Sequence, residues 1–145
     1  MTPPLTIATE VEIAATPERV WAILTDFAAY PQWNPYIVAI EGDATPGTVM
    51  QVHSVPLPGA PEMVAPVLMV SADFPLMCWE GGLADRGQFR GDHRWRLEAI
   101  AGGTRVAHVE DFSGTLAPDI LARHGDTVRA AFERFDAALK TRCEA

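Results

Sequence analysis

At 145 residues and 15.7 kDa the chain has the length of one domain, residues 1–145, enough to bury about two-thirds of its unfolded surface. A net charge of −8, a pI near 4.8 and only 11 Lys and Arg argue against nucleic acid and anionic lipid surfaces as partners. No apolar run approaches the roughly 20 residues that span a bilayer, and Met-Thr-Pro-Pro is not a basic-then-apolar leader, so a cytoplasmic location without membrane insertion is expected.

In chain order, Leu5 to Ile13 alternates Ile7, Thr9, Val11 and Ile13 against Thr6, Ala8, Glu10 and Glu12, the period of a strand with one dry face. Thr16 is a good N-cap, Pro17 sits where its missing N–H is harmless, and Val20, Ile23, Leu24 and Phe27 recur at helical spacing. Pro31 and Pro35 end that stretch after a second half-turn. Strands are then expected over Ile37 to Glu41, Thr48 to Val55, Met63 to Ser71, Met77 to Gly82, Asp92 to Glu98 and Thr104 to Phe112, separated by Gly, Pro or Asp. Connections this short allow antiparallel neighbours and no parallel crossovers. Pro56-Leu-Pro-Gly-Ala-Pro61 reads as a stiff loop, either a plain connection or a rim to a pocket. From Ala117 to Arg142 one long helix carries Leu121, Val128, Phe132, Phe135 and Leu139 on a single stripe, with Gly125 a point of bending.

A strand, a helix ending in Tyr30-Pro-Gln-Trp-Asn-Pro35, a run of strands and a long C-terminal helix resemble the START-like, helix-grip superfamily, also called SRPBCC. Phe89-x-Gly91-x-His93-x-Trp95-x-Leu97, Gly103-Thr104-Arg105 and His108-x-Glu110-x-Phe112-x-Gly114 extend the likeness over the whole chain, toward its bacterial polyketide cyclase/dehydrase-like branch. The resemblance implies an α+β fold: a strongly curved, seven-stranded, mostly antiparallel sheet wrapped on the long C-terminal helix, with two short helices after the first strand. It also implies an internal cavity for a lipid, polyketide or aromatic compound. A helix 10–12 Å across cannot fill the hollow of a strongly bent sheet, and Gly81, Gly82, Gly87 and Gly91 suit sharp bending or close approach. In the long helix the branch often reads Asn-x-Ala-Leu-Lys where this chain has Asp136-Ala-Ala-Leu-Lys140, a departure expected to touch only a helix-surface contact.

Alternation places His93, Trp95 and Leu97 on one face of their strand, and Val106, His108, Glu110 and Phe112 on one face of the next. A hairpin loop over Ile100 to Gly103 sets Leu97 opposite Val106, Trp95 opposite His108, and His93 opposite Glu110. Titratable groups then meet in apolar surroundings. Desolvation raises the carboxyl pKa and a facing imidazolium lowers it, so His93 and Glu110 are candidates to share a proton near neutrality. Three readings stay open: acid–base catalysis by His93 and Glu110, anchoring of a ligand's polar end, and purely structural pairing. His93, His108 and Glu110 resemble a catalytic zinc set in residue type alone, and no metal or other cofactor is expected.

The expected function is binding of a small, largely apolar molecule, with Trp79, His93, Trp95, His108, Glu110, Phe112 and Leu121 as pocket residues. Trp21 and Trp33 are expected in the core ahead of the pocket, His53 faces outward by alternation, and His124 is ambiguous. The rivals are a cyclase or dehydratase-like enzyme using His93 and Glu110, and a protein-interaction or chaperone-cofactor module using the outer sheet face. No Gly-x-Ser-x-Gly elbow or Gly-x-Gly-x-x-Gly loop occurs, and Cys78 and Cys143 read as reduced thiols. An exposed edge strand permits either a monomer or a homodimer.

Overall fold

The computed structural model describes residues 5–145. Its elements are β1 (Leu5–Ile13), α1 (Pro17–Thr25), a 3-10 helix (Phe27–Gln32), β2 (Ile37–Glu41), β3 (Val49–Ser54), β4 (Met63–Asp73), β5 (Leu76–Gly81), β6 (Arg90–Ile100), β7 (Gly103–Ser113) and α2 (Ala117–Glu144). Thr16 caps α1 by accepting the Arg19 N–H at 3.2 Å, and Pro17 opens it without losing a bond. The second half-turn is the 3-10 helix, closed by the Tyr30 hydroxyl donating to the Leu24 carbonyl at 2.5 Å.

All seven strands form one antiparallel sheet in the order β1-β7-β6-β5-β4-β3-β2. From β2 to β7 the chain runs as a meander, while α1 and the 3-10 helix carry it from one edge strand, β1, to the other, β2. The β6–β7 register is as expected from alternation: Leu97 opposes Val106, Trp95 opposes His108, and His93 opposes Glu110. Ile100 also pairs with Gly103, so the turn shrinks to Ala101 and Gly102, with Gly102 at φ 82°. Strand β4 reaches Asp73 rather than Ser71, leaving Phe74 and Pro75 as the turn into β5.

Helix α2 lies on the concave face. Lys140 Nζ donates to the Glu12 carbonyl and Arg129 Nη1 to that of Ala8, both at 2.9 Å, lashing it along β1. Arg19 Nε donates to the Cys143 carbonyl at 2.7 Å, placing a cation on the orphan carbonyls of the helix end. The main core joins Val20, Leu24 and Tyr30 to Met50, Met69, Met77, Trp95, Phe135 and Leu139, all with 0% exposure. A smaller cluster of Ile7, Phe112, Ala117 and Phe132 seals the other end.

Phe135 touches Tyr30, Trp33, Trp95 and His108 and so ties α2 to both the sheet and the 3-10 helix. Phe135→Ala is expected to cost about 3–5 kcal/mol, read as a lower urea midpoint at unchanged slope.

Candidate functional site

Helix α2 and strands β1, β6 and β7 bring a line of polar groups into this apolar layer. Thr9 Oγ1 donates to Asp136 Oδ2 at 2.6 Å, and His108 Nδ1 lies 2.7 Å from Asp136 Oδ1. His108 Nε2 is 2.7 Å from His93 Nε2, and His93 Nδ1 stands 3.6 Å from Glu110 Oε1, just outside hydrogen-bonding distance. His93, His108 and Asp136 are buried, with 5, 0 and 4% exposure. Trp95 stacks on both imidazoles, at ring-centroid distances of 4.1 and 4.9 Å. Phe132 from α2 stacks on them too, at 4.9 and 4.1 Å.

Asp136 is a correction. Far from making a surface contact, it is the buried partner of His108 and Thr9. The signal was present in the helix: position 136 is four residues after Phe132 and three before Leu139, hence on the buried stripe. Thr9 and Gly91 were likewise missed as site residues. A Cβ at position 91 would collide with Glu110 Oε2, so the absent side chain of Gly91 is the space in which the carboxyl lies.

The space expected between the sheet and α2 is largely filled. Trp95, His108, Phe132 and Phe135 close it beneath the helix, all at 0% exposure. What remains open is a pocket of about 140 Å³ beside them, on the concave face of β2 to β7. Its walls are Tyr36, Ile37, Val52, Ser54, Ala65, Val67, Trp79 and Gly81, and its polar end is His93 and Glu110. A dry 150 Å³ cavity accommodates benzene, so this one suits a single ring. Of the seven residues expected to line a pocket, Trp79, His93 and Glu110 do so. Trp95 and His108 stand behind them, sealed. Phe112 stacks on Phe89 at 5.6 Å, and Leu121 faces a separate groove of about 320 Å³ between β1 and α2. His53 points outward, as alternation requires, between Glu41 and Glu62 at 2.8 Å each.

Burial sets the electrostatics. Desolvation raises the Glu110 carboxyl from 4.5 to about 8, with the neighbouring charges of Asp92 and Asp111 adding to it. Only 15% of that side chain is exposed. His93 is pushed well below 6.5, first by burial and then by His108, so it is no imidazolium and does not bring the carboxyl back down. His108 is also lowered by burial, against the opposing pull of Asp136. The Tyr36 phenol is raised by burial and then by Glu110, with Arg134 opposing. Burial therefore favours the uncharged forms of Glu110 and Tyr36, two of the residues that line the pocket. Arg134 Nη2 donates to the carbonyls of Val55 and Pro56, at 3.3 and 3.0 Å, which pins the start of the Pro-rich loop to α2.

The sequence model of one family, described as polyketide cyclase / dehydrase and lipid transport, matches residues 4–144. No curated protein matches the sequence. Among solved structures, a Rhodobacter sphaeroides protein is 20% identical with a TM-score of 0.75, over 97% of this chain and 95% of that one. A START superfamily protein from Mycobacterium smegmatis is 21% identical with a TM-score of 0.69, over 96% and 97%. The di-domain ARO/CYC BexL from the BE-7585A biosynthetic pathway is 15% identical with a TM-score of 0.71, and this chain spans 97% of its own length but 49% of that protein. Together they identify the helix-grip fold.

Two predictions follow from the packing and charge of Glu110. Gly91→Ala is expected to destabilise the protein by about 1–3 kcal/mol, and the penalty is expected to shrink in a Glu110→Ala background, a coupling that a double-mutant cycle reads directly. The folded chain holds more protons than the unfolded one between pH 4.5 and about 8, so Glu110 lowers stability as pH rises through that window. His93 and His108 act oppositely, lowering stability as pH falls below 6.5. Glu110→Gln is therefore expected to gain stability relative to the parent as pH rises across that window, by at most about 1.4 kcal/mol per pH unit, in denaturation series at fixed ionic strength.

Proposed function

The chain belongs to the polyketide cyclase/dehydrase and lipid transport family, and on that premise we propose that it binds a small, largely apolar molecule in the pocket on the concave face, with Glu110 holding its polar end. The observation that carries this reading is the carboxyl itself: a largely buried acid facing an otherwise apolar pocket, in a space that Gly91 leaves open. The Glu110 side chain keeps 15% exposure, and among the described residues no side chain hydrogen-bonds it, His93 Nδ1 standing 3.6 Å away, so its oxygens are left to water or to a ligand entering the pocket. A ligand polar atom would satisfy them. The volume of about 140 Å³ admits one ring or a short branched chain, so a larger ligand would project out of the pocket into solvent.

A second reading is favoured by the neutral state of Glu110. An acid with a pKa near 8 holds a proton to give at neutral pH, as cyclisation or dehydration of a polyketide-like chain requires. His93 is less suited to be the base, because its Nε2 is engaged with His108 and burial disfavours its charged form.

Ser54→Trp, which fills the pocket from its wall without altering the buried core, is expected to weaken binding of single-ring fragments by about tenfold or more, read by chemical-shift perturbation and thermal shift. Retained binding in that variant would place the ligand elsewhere. If the second reading holds, Glu110→Gln abolishes turnover of a cyclising substrate while leaving its binding within about threefold.

A further inference from the structure

The two buried imidazoles and Asp136 form one continuous line behind the pocket wall, and counting its hydrogen bonds fixes where the protons lie. As a carboxylate, Asp136 offers only acceptors: Oδ2 takes the Thr9 hydroxyl and Oδ1 the His108 Nδ1–H. A neutral His108 with its proton on Nδ1 has a bare Nε2, which stands 2.7 Å from His93 Nε2. One proton must lie between those nitrogens, so His93 supplies it and keeps a bare Nδ1. That lone pair stands 3.6 Å from Glu110 Oε1, at the polar end of the pocket, where His93 is an acceptor. The two rings lie 11° from parallel, and a 2.7 Å nitrogen contact is too close for rings stacked face to face. They meet edge to edge, with the shared proton near their common plane. Trp95 and Phe132 stack on both rings and hold them against flipping, so a tautomer changes here only by a proton moving along the line.

We propose that His108 and Asp136 form a proton relay behind His93: a proton arriving at His93 Nδ1 from the pocket is handed on, as the Nε2–H moves to His108 Nε2, and comes to rest on His108 as an imidazolium paired with the Asp136 carboxylate. The donor, an acidic O–H at the pocket end, is left as an anion, and His93 ends neutral with its proton on Nδ1. Protons and charge balance. Burial pushes His93 well below its ordinary value of 6.5, and in this step His93 is neutral before and after. His108 is lowered by burial too, but Asp136 opposes that, which makes His108 the better resting place. Of the groups facing the rings, Thr9 on β1, Asp136 on α2 and Glu110 on β7, it is Asp136 that bonds His108 and compensates its charge. The faces of Trp95 and Phe132, with centroids 4.9 and 4.1 Å away, favour a cation at the same place. Asp136 and His108 are positioning residues in this scheme, since both act on the pocket through His93. The relay rests on the binding reading above for the pocket's occupant and adds to it a route by which the site takes up a proton.

The test uses the full-length protein labelled with 15N and long-range proton–nitrogen correlation spectra. At pH 6.5 the free protein is expected to show His108 protonated on Nδ1 and His93 on Nε2. As the pH is lowered further, His93 is expected to exchange its Nε2 proton for one on Nδ1 while His108 becomes doubly protonated, a paired swap that independent titration of two rings does not produce. Asp136→Asn, which keeps the size of the side chain, is expected to lower the midpoint of that swap by about one pH unit or more. Should the variant fail to fold, the spectra of the parent protein still decide the matter. A proton on His93 Nδ1 at pH 6.5, a doubly protonated His93, or no proton on His108 before unfolding overturns the relay. The weak acid 4-nitrophenol then probes the pocket end: it is expected to ionise at lower pH when bound than when free, by about one unit in its absorbance titration, with the same swap in the histidine spectra. A bound, ionised probe without the swap also overturns the relay. Failure of the probe to perturb the pocket counts against the binding reading and not against the relay, which the tautomers and the swap of the free protein decide.

Discussion

Burying an aspartate and two histidines in one apolar layer is the constraint on which the rest of this structure depends. Each group must find a partner away from water, or the fold loses several kcal/mol. Asp136 meets that requirement only if α2 presents position 136 to β7 and β1 together, which Thr9 and His108 enforce at 2.6 and 2.7 Å. The hydrogen bonds of Arg129 and Lys140 to β1 carbonyls hold the same placement from the rim. The aromatic stack of Trp95, Phe132 and Phe135 then closes around the imidazoles, and the leftover space falls to one side, where Glu110 borders it. Helix placement, packing and the chemistry of the pocket are thus consequences of one buried polar line.

Much of this was legible in the residues. A two-residue period fixes which side chains share a face, and a short hairpin fixes who opposes whom, so the opposition of His93 to Glu110 follows from β6 and β7 alone. The outward His53 and the capped first helix follow from equally local rules. What was not legible depends on tertiary placement. Asp136 reads as one more acidic residue of a polar-faced helix until the helix is set against β1. His93 reads as the partner of Glu110, because register brings them opposite; the structure gives its Nε2 to His108 instead, a neighbour on the adjoining strand two residues from Glu110. The volume of the pocket is likewise beyond local rules. It is what remains after four large rings have packed, and it is nearer to one ring than to a lipid.

The side chains that cross the concave face of the sheet set how much of it stays open. Here the aromatic layer beneath α2 shortens the cavity and converts its inner end into a polar wall. Polar groups at the end of such a pocket discriminate by mismatch: a ligand that leaves one of them unpaired loses affinity. Specificity in such a site comes from one or two atoms, while the hydrocarbon walls supply affinity by area. Gly91 matters in the same way, since without its missing side chain the carboxyl could not lie against the strand.

The most direct measurement is a carbon-13 titration of the side-chain carboxyl of Glu110 in the intact protein, followed from acid to mildly alkaline pH. The burial described here predicts a midpoint near 8, far above 4.5, with the carboxyl uncharged at neutrality. A midpoint near 4.5 would mean a hydrated, ionised group, and the claim that this pocket ends in a neutral proton donor would be wrong.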